Sequence, residues 1–266
     1  MAVPFDHIDS TFNTVFTQSA IGQLQRKHAW EYLAGITSHL RGFEILALNP
    51  GSGDDALLFG ERDFNIVATD VSSAIQHISQ PKITSYSLQH GISTQYIDLE
   101  NFNETLFHKK FDLVFSNFGG ISSMAPASLQ EFIQKVPSIL SPGGHFVAVV
   151  MPRFCAWESL YFLYRLQFGK IFRRWTKKEV DGFASNNPSF KTWFYKPSDI
   201  ISWSKTKFKV ISIKPIGVAL PPLCLENISD FRRSVLIKLN TLEEKFNRLP
   251  FFSRMSDHFL IDLQLV

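Results

Sequence analysis

Two glycines and two aspartates follow successive apolar runs in the first half of this 266-residue chain. Gly51 and Gly53 lie between the run at 43–48 and a helical pattern, where missing side chains let the backbone turn sharply against a ligand. Asp70 ends the next run, "NIVATD", and Asp98 ends the third, "STQYID". An acid at the second strand end can accept both hydroxyls of a ribose, and one at the third can accept an adenine amino group. This order of strands, glycines and acids predicts a site for a nucleoside-containing cofactor.

Strand-like runs alternate with helical patterns through the middle of the chain. Five such runs lie at 43–48, 65–70, 93–98, 111–117 and 145–151. This alternation predicts a parallel sheet with helices on both faces, whose ligands bind at the carboxyl ends of the strands. Two further strands are expected at 208–214 and 258–266, and a helix at 229–249 with Ser229 as its N-cap.

The same patterns divide the chain into four predicted segments. Residues 1–40 form N-terminal lid helices, and 41–151 form the cofactor-binding core. Residues 152–206 are aromatic, basic and too long for a simple connection, so we expect a cap inserted over the substrate. Residues 207–266 complete the sheet.

Composition narrows the class of protein. A 45% hydrophobic content supplies a full core, and a net charge of +3 does not indicate nucleic-acid binding. The two cysteines, Cys155 and Cys224, form no zinc pattern and are expected to be reduced. We find no signal peptide and no apolar run of the roughly 20 residues a membrane span needs, and we expect a cytoplasmic protein without bound metal.

The charges around the glycine loop distinguish between two cofactor classes. A dinucleotide site uses a third glycine, and Ala56 holds that position here. Asp54 and Asp55 begin the following helix and would repel a pyrophosphate. S-adenosylmethionine instead carries a sulfonium and an ammonium group, so electrostatics favours this cofactor over a dinucleotide.

Six segments resemble class I S-adenosylmethionine-dependent methyltransferases, in particular bacterial members that act on small molecules. They are "FTQSAIGQLQR" (16–26), "ALNPGSGDDA" (47–56), "FDLVFSNFGGIS" (111–122), "LSPGGHFVAVVM" (140–151), "MPRFCAWESLYFL" (151–163) and "DHFLIDL" (257–263). The resemblance implies an α/β fold with a Rossmann-like, doubly wound, mostly parallel seven-stranded sheet, N-terminal lid helices and an inserted helical cap. It also implies S-adenosylmethionine as the cofactor.

Two residues depart from the family's pattern. Ala47 stands where the family has an acid, and Asn49 stands where it has its first glycine. Asparagine tolerates the left-handed backbone best after glycine, so we expect Asn49 to adopt it. Three functions stay open: methyl transfer, a non-catalytic binding or scaffold subunit, and a non-methyl-transfer reaction that uses the same cofactor.

The resemblance implies the remaining cofactor contacts. Asn117 and Phe118 are expected beside the sulfonium, and Arg26 is expected to reach the cofactor carboxylate or to be a solvated helix charge. Val71 and Leu99, which follow the two strand-end acids, complete the predicted set.

The predicted substrate-binding residues lie in the cap and at the last strand. Arg153, Trp157 and Glu158 are candidates to hold a polar group, with a salt-bridged cap helix as the alternative. Tyr195 is a further candidate, and His258 is either a base near the site or a structural hydrogen-bonding residue.

The acceptor is only broadly constrained. Methyl transfer mainly needs alignment and a dry site, so no strict catalytic motif is expected and the catalytic residues stay unknown. The segment "SNFG" at 116–119 lacks the prolines of base N-methyltransferases. We expect transfer to oxygen or nitrogen of a small hydrophobic or aromatic metabolite, free or carrier-protein-bound, in secondary metabolism. The basic run at 168–178 is expected to be a solvated face, or less readily a dock for an acidic carrier or an anionic membrane.

Overall fold

The structure is a computed structural model that describes residues 19–38, 42–49, 55, 59, 64–70, 91–181, 191–222 and 233–266. Seven strands form the main sheet: β1 (Glu44–Leu48), β2 (Asn65–Asp70), β3 (Ile92–Tyr96), β4 (Phe111–Ser116), β5 (Leu140–Val150), β8 (Phe208–Ile216) and β9 (His258–Leu265). A separate two-stranded ribbon consists of β6 (Val180–Asp181) and β7 (Lys191–Thr192).

Five α-helices lie within the described residues. They are α1 (Ala20–Thr37), α2 (Pro126–Lys135), α3 (Ala156–Tyr164), α4 (Pro197–Ser204) and α5 (Arg233–Phe246). Ser19 caps α1 by accepting the Gly22 amide at 3.0 Å. Short 3₁₀ turns lie at Glu104–Leu106, Ile121–Ser123, Val136–Ser138, Phe168–Lys170, Arg173–Trp175 and Pro250–Arg254.

The main sheet has the strand order β3-β2-β1-β4-β5-β9-β8. Strands β1 to β5 pair in parallel, whereas β9 lies antiparallel between β5 and β8. Buried residues in β1 alternate between two clusters: Leu46 and Leu48 pack with α2 and α4, and Ile45 and Ala47 pack with α1. The predicted α/β, doubly wound, mostly parallel seven-stranded sheet is therefore confirmed.

Local geometry refines the predicted element bounds. Strand β3 ends at Tyr96, so Asp98 follows the strand instead of ending it. The segment "SPGG" (141–144) forms a bulge inside the eleven-residue strand β5. The pairing of β5 with β4 accordingly shifts in register between Phe111 and Leu113. Pro137 lies in a 3₁₀ turn after α2. Ser229 lies outside the described residues.

The second half of the predicted cap contributes to the sheet layers. Helix α4 packs against α2, β8 and β9, and its Ile200 is buried in the core. Residues 156–175, from α3 to the 3₁₀ turn at Arg173–Trp175, are the part of the predicted cap that does not pack into the helix layers covering the sheet. The four predicted segment boundaries otherwise stay predictions.

Candidate active site at the carboxyl edge of the sheet

The strand order creates a crevice between β1 and β4. The chain proceeds from β1 to β2 and β3 on one side, and from β4 to β5 on the other. Helical connections therefore diverge at this point and leave the carboxyl ends of β1 and β4 open to a ligand. The predicted residues Asn49 and Asn117 directly follow these two strands.

Asn49 has the left-handed backbone that the sequence predicted, with φ of 49°. Its amide donates to the Thr69 carbonyl at 2.7 Å, which fixes the turn out of β1 to the end of β2. The Asn49 side-chain oxygen is buried and has no hydrogen-bond partner within the described part of the chain. A buried acceptor without a donor is costly unless a ligand supplies that donor.

The turn after β4 contributes two more such atoms. Ser116 Oγ and Asn117 Oδ1 are buried without a hydrogen-bond partner. Gly120 lies directly against Ser116 and Asn49, because a Cβ there would lie 2.7 Å from Ser116 Oγ and 3.3 Å from the Asn49 Cβ. Three buried polar atoms without partners therefore lie in the turns after β1 and β4, on Asn49, Ser116 and Asn117. These atoms fit a ligand with both hydrogen-bond donors and acceptors, as a nucleoside with an amino-acid tail has.

Asp55 connects this turn to α1. Its Oδ1 accepts hydrogen bonds from Trp30 Nε1 at 2.6 Å and from Asn117 Nδ2 at 2.7 Å. The Asp55 side chain is buried, so its role is to orient Asn117 and not only to repel phosphate. Sequence reasoning missed Trp30, which stands in no motif, whereas Ser116 belongs to the "SNFG" segment expected beside the sulfonium.

Arg26 lies one helical turn from Trp30 in α1. Its side chain is 6% exposed, and its guanidinium carbon lies 5.8 Å from the centroid of the Trp30 ring. The alternative of a solvated helix charge is wrong, because the side chain is buried. Arg26 is connected to Asn117 through Trp30 and Asp55, which places it on the same side of the crevice.

The loop after β3 is stabilised by its own side chains. Asp98 accepts from the Glu100 amide at 2.9 Å and from Asn101 Nδ2 at 2.7 Å. Glu100 in turn accepts the Ala125 amide at 2.8 Å, which connects this loop to the start of α2. Leu99 is buried in the core, so only its backbone is available to a ligand.

Gly51, Gly53 and Val71 lie outside the described residues, as does the side chain of Asp70. Their contribution to the cofactor site stays a prediction.

Phe118 joins the turn after β4 to the start of β9. Its ring meets the His258 imidazole edge-on at a centroid distance of 4.7 Å. His258 begins β9 beside the carboxyl end of β5, since its neighbour Phe259 pairs with Val150. The structure therefore brings His258 to the same sheet edge as Asn117.

The His258 ring is buried and directed by Asp257. Nδ1 lies 3.2 Å from Asp257 Oδ2 in an ion-pair contact without hydrogen-bond alignment, and Nε2 has no partner. Gln25 Nε2 donates to the same Asp257 oxygen at 3.3 Å. The arrangement holds Nδ1 against Asp257 and leaves Nε2 without a hydrogen-bond partner among the described residues.

A buried ion-pair network supports Asp257. Arg174 donates to Asp257 Oδ1 at 2.8 Å and to Glu158 Oε2 at 2.6 Å, while Arg173 donates to Glu158 Oε1 at 3.1 Å. Burial alone would raise the pKa of Asp257, but His258 and Arg174 outweigh it and hold this pKa well below its usual range.

This network decides between the two interpretations of Glu158. Glu158 is buried with both oxygens bonded to arginines, which is the salt-bridged cap helix. A direct contact with substrate is disfavoured, because it would break an ion pair in the interior.

Trp157 and Tyr195 are likewise bonded within the protein. Trp157 Nε1 donates to the Val218 carbonyl at 2.8 Å. Tyr195 is fully buried and donates to the Met124 carbonyl at 2.5 Å, and burial followed by the charge of Glu100 raises its pKa. Tyr195 is thus a core residue and not an exposed substrate contact.

Arg153 is the predicted substrate residue that borders a cavity. It donates to the Phe194 carbonyl at 3.1 Å and lies 3.2 Å from Asp199 Oδ2. The cavity beside it has a volume of about 770 Å³, and its lining includes Phe154, Trp175 and Phe251. A volume of this size accommodates a small organic ligand.

The loop after β8 is anchored by a residue that sequence reasoning missed. Glu243 of α5 is fully buried and accepts the four successive amides of residues 217–220 at 2.7–3.2 Å. Gly217 has φ of 77°, and a Cβ there would lie 2.7 Å from the Asp257 Cβ. The loop can therefore approach Asp257 closely, which fixes the start of β9 and with it His258.

The described residues show neither a metal-binding cluster nor a membrane-spanning helix. They contain no group of three or more histidine, cysteine, aspartate or glutamate side chains placed to hold a metal ion. No described helix is both long and apolar enough to span a membrane.

Solved structures show the same architecture at low sequence identity. No protein-family model matches the chain, and no curated protein matches it in sequence. The [4+2]-cyclase SpnF superimposes with a TM-score of 0.63 at 11% identity over 98% of this chain and 93% of that one. Magnesium protoporphyrin IX methyltransferase from Synechocystis PCC 6803, with bound SAH, superimposes with a TM-score of 0.60 at 9% sequence identity. The match covers 96% of this chain and 93% of that one. Geranyl diphosphate methyltransferase in complex with SAM superimposes with a TM-score of 0.56 at 10% sequence identity, and the match covers 90% of this chain and 85% of that one.

The chain therefore has the fold of class I S-adenosylmethionine-dependent methyltransferases, as the sequence predicted. The antiparallel β9 between β5 and β8 completes this sheet.

Proposed function

We propose that the protein binds S-adenosylmethionine at the crevice between β1 and β4 and transfers its methyl group to oxygen or nitrogen of a small molecule. The observation that carries the proposal is the set of three buried, unpartnered polar atoms on Asn49, Ser116 and Asn117. They lie where this sheet order places a ligand. The solved methyltransferases with the same fold support the identity of that ligand.

The chain's own residues have distinct proposed roles toward the cofactor. Asn49 and Asn117 would hydrogen-bond it, Arg26 would pair with its carboxylate, and Asp98 would accept its adenine amino group. Gly51, Gly53, Asp70, Val71, Leu99 and Phe118 complete the proposed cofactor set. The cofactor, when bound, supplies a methyl group already activated on a sulfonium.

His258 is the proposed general base. An oxygen or nitrogen acceptor loses a proton on methylation, and a base within the site takes it up. Nε2 of His258 is without a partner, whereas Nδ1 faces the ionised Asp257. Asp257 would stabilise the imidazolium that forms, and Phe118 would hold the ring at the sheet edge.

The proposed acceptor is hydrophobic or aromatic. Arg153 would contact it from the aromatic cavity, and Trp157 would position it indirectly by fixing the loop at Val218. Free small molecules and molecules on a carrier protein both remain candidates, as does a role in secondary metabolism within the cytoplasm.

The first experiment separates binding from transfer. Calorimetric titration with S-adenosylmethionine should show one site, and Asn117→Ala should weaken it about tenfold. His258→Asn should retain binding but lose at least about a hundredfold in S-adenosylhomocysteine formation with an acceptor found by screening small nucleophiles. An absence of binding by the native protein would refute the proposal.

A second candidate function is a non-catalytic binding or scaffold subunit. Its support is Ala47, which is buried in the core where the family carries an acid. A native protein that binds S-adenosylmethionine but forms no product would favour this candidate. The similarity to a [4+2]-cyclase keeps non-methyl-transfer chemistry as a third, and a product mass change other than one methylene would identify it.

A further inference from the structure

The outward face of α3 is apolar, although a surface helix normally presents polar side chains there. Glu158 and Phe162 point into the protein and are buried. Leu160, Leu163 and Tyr164 are exposed by 60%, 48% and 85%. A short helix that exposes three large apolar side chains on one face indicates a surface that is covered by something else.

The apolar surface continues through the turns that follow α3. We define the outer cap face as seven exposed side chains: Leu160, Leu163, Tyr164, Leu166, Phe168, Phe172 and Trp175. The last four are exposed by 72%, 63%, 57% and 60%. Leucine with tyrosine, phenylalanine and tryptophan is the composition of surfaces that enter the boundary between lipid headgroups and acyl chains.

The charged side chains between residues 159 and 178 are all positive. Residues 159–178 contain six arginines and lysines and no acid. Arg173 and Arg174 are bonded to Glu158 in the interior, but Lys177 and Lys178 are exposed and make no ion pair within the described residues. The outer cap face therefore ends in free positive charge.

The cavity beside Arg153 borders this face, because Trp175 belongs both to the outer cap face and to the cavity lining. Phe251, exposed by 68%, also lines the cavity. Lys177, Lys196 and Arg254 also line the cavity. The combination of apolar walls and cations suits the head and first chain segments of an anionic amphiphile.

We propose that the outer cap face docks the protein on an anionic lipid bilayer. The apolar side chains would enter the headgroup region while Lys177, Lys178 and Lys196 contact lipid phosphates. The cavity would then face the bilayer surface, so that an amphiphile could pass between them.

Other occupants fit less well. A second copy placed on this face by two-fold symmetry would bring two acid-free basic segments together, which is repulsive. An acidic protein could pair with Lys177 and Lys178, but charge pairing alone would leave the seven apolar side chains of the outer cap face uncovered. A bilayer needs no matching shape and accepts irregular apolar side chains.

The test is sedimentation of the full chain with vesicles, without cofactor or substrate. We expect binding to vesicles of phosphatidylcholine with about one third phosphatidylglycerol, weaker binding at high salt, and little binding to phosphatidylcholine alone. Because no methyl transfer is measured, the result is independent of the proposed function.

Matched variants locate the surface. Leu160→Ser/Leu163→Ser/Phe168→Ser should lower the partition coefficient at least about tenfold, whereas Ile237→Ser, at a position 59% exposed on α5, should not change it. Lys177→Glu/Lys178→Glu should lower it about tenfold or more. Lys205→Glu/Lys207→Glu is the charge control, because these residues precede β8 at the opposite sheet edge.

Three outcomes would overturn the proposal. They are an absence of binding to anionic vesicles, equal losses in the control variants, and a dimer that the triple serine variant dissociates. A melting temperature within a few degrees of the native protein would show that a loss of binding does not come from unfolding.

Discussion

The two halves of the carboxyl edge of the sheet satisfy their polar groups differently. Around β1 and β4, the side chains of Asn49, Ser116 and Asn117 each leave a buried oxygen without a partner. Around β8 and β9, Glu243 binds four backbone amides and Arg174 bonds both Glu158 and Asp257. The first half therefore has hydrogen-bonding capacity that the described residues do not use, whereas most polar groups named in the second half are paired.

The second half also holds unpartnered atoms among the described residues, on Gln25, Ser253 and His258, and only His258 carries a titratable ring. Both of its ring nitrogens lack hydrogen bonds, although the residue before it is held by Arg174, Gln25 and Gly217. A rigid support around one unsatisfied imidazole is the arrangement expected where a proton is exchanged.

The largest expected loss of stability is in the half of the edge around β8 and β9. Glu243→Ala would leave four amides of residues 217–220 without their acceptor, and we expect the free energy of unfolding to fall by about 4 kcal/mol. Denaturant unfolding measures this loss. Glu244→Ala is the matched control on the same helix, because Glu244 is exposed and its loss should cost no more than about 0.5 kcal/mol. Equal effects of the two substitutions would contradict the assigned role of Glu243.

A smaller effect with a defined pH dependence is expected at Arg174. Arg174→Met leaves Asp257 and Glu158 buried with fewer partners, and we expect a loss of about 3 kcal/mol at pH 7. The pKa of Asp257 is lowered in the folded protein, so its stabilising contribution is present above the unfolded pKa of about 4 and is lost as the pH falls.

The difference between Arg174→Met and the native protein should therefore shrink below about pH 4, where Asp257 of the variant takes up a proton. Unfolding curves at pH 7 and at several lower values measure it. Lys191→Met removes the exposed pair with Asp181 and should change stability at neither pH. A pH-independent deficit would show that Arg174 acts through packing alone.

The smallest stability effect is expected in the half of the edge around β1 and β4. Asn49→Gly keeps the left-handed backbone, so the free energy of unfolding should change by less than about 0.5 kcal/mol. Affinity for S-adenosylmethionine should nevertheless fall about fivefold, since an unpartnered oxygen has been removed from the site.

Asn49→Ala separates the two roles of this residue. It should lose the same affinity and additionally about 1 kcal/mol of stability, because alanine is strained at φ of 49°. An Asn49→Gly variant with raised affinity would instead support the binding-subunit alternative.

The sequence predicted the sheet because strands depend on local patterns, and the proposed site was placed at one edge by the same patterns. Apolar runs with turns after them identify strands, and parallel strands place their carboxyl ends together. Asn49 could be assigned its left-handed backbone because few residue types tolerate it. His258 could be placed near the site because it begins a strand.

The roles of Glu158, Tyr195 and Glu243 could not be derived in this way. Whether a charged or hydroxyl side chain faces a ligand or the interior depends on partners distant in sequence, such as Met124 for Tyr195. The nearest of the four amides held by Glu243 is 23 residues away along the chain. No spacing rule covers such contacts, because the helix and the loop meet only after the sheet has formed.

The hydrogen bond from Trp30 to Asp55 has a practical consequence for spectroscopy. The Trp30 indole and the Asn117 amide donate to the same Asp55 oxygen, and the other side-chain atom of that amide, Asn117 Oδ1, has no partner among the described residues. A molecule bound beside Asn117 would change the polarity around Trp30, so a Trp30→Phe variant would separate this contribution to the emission from that of the other four tryptophans.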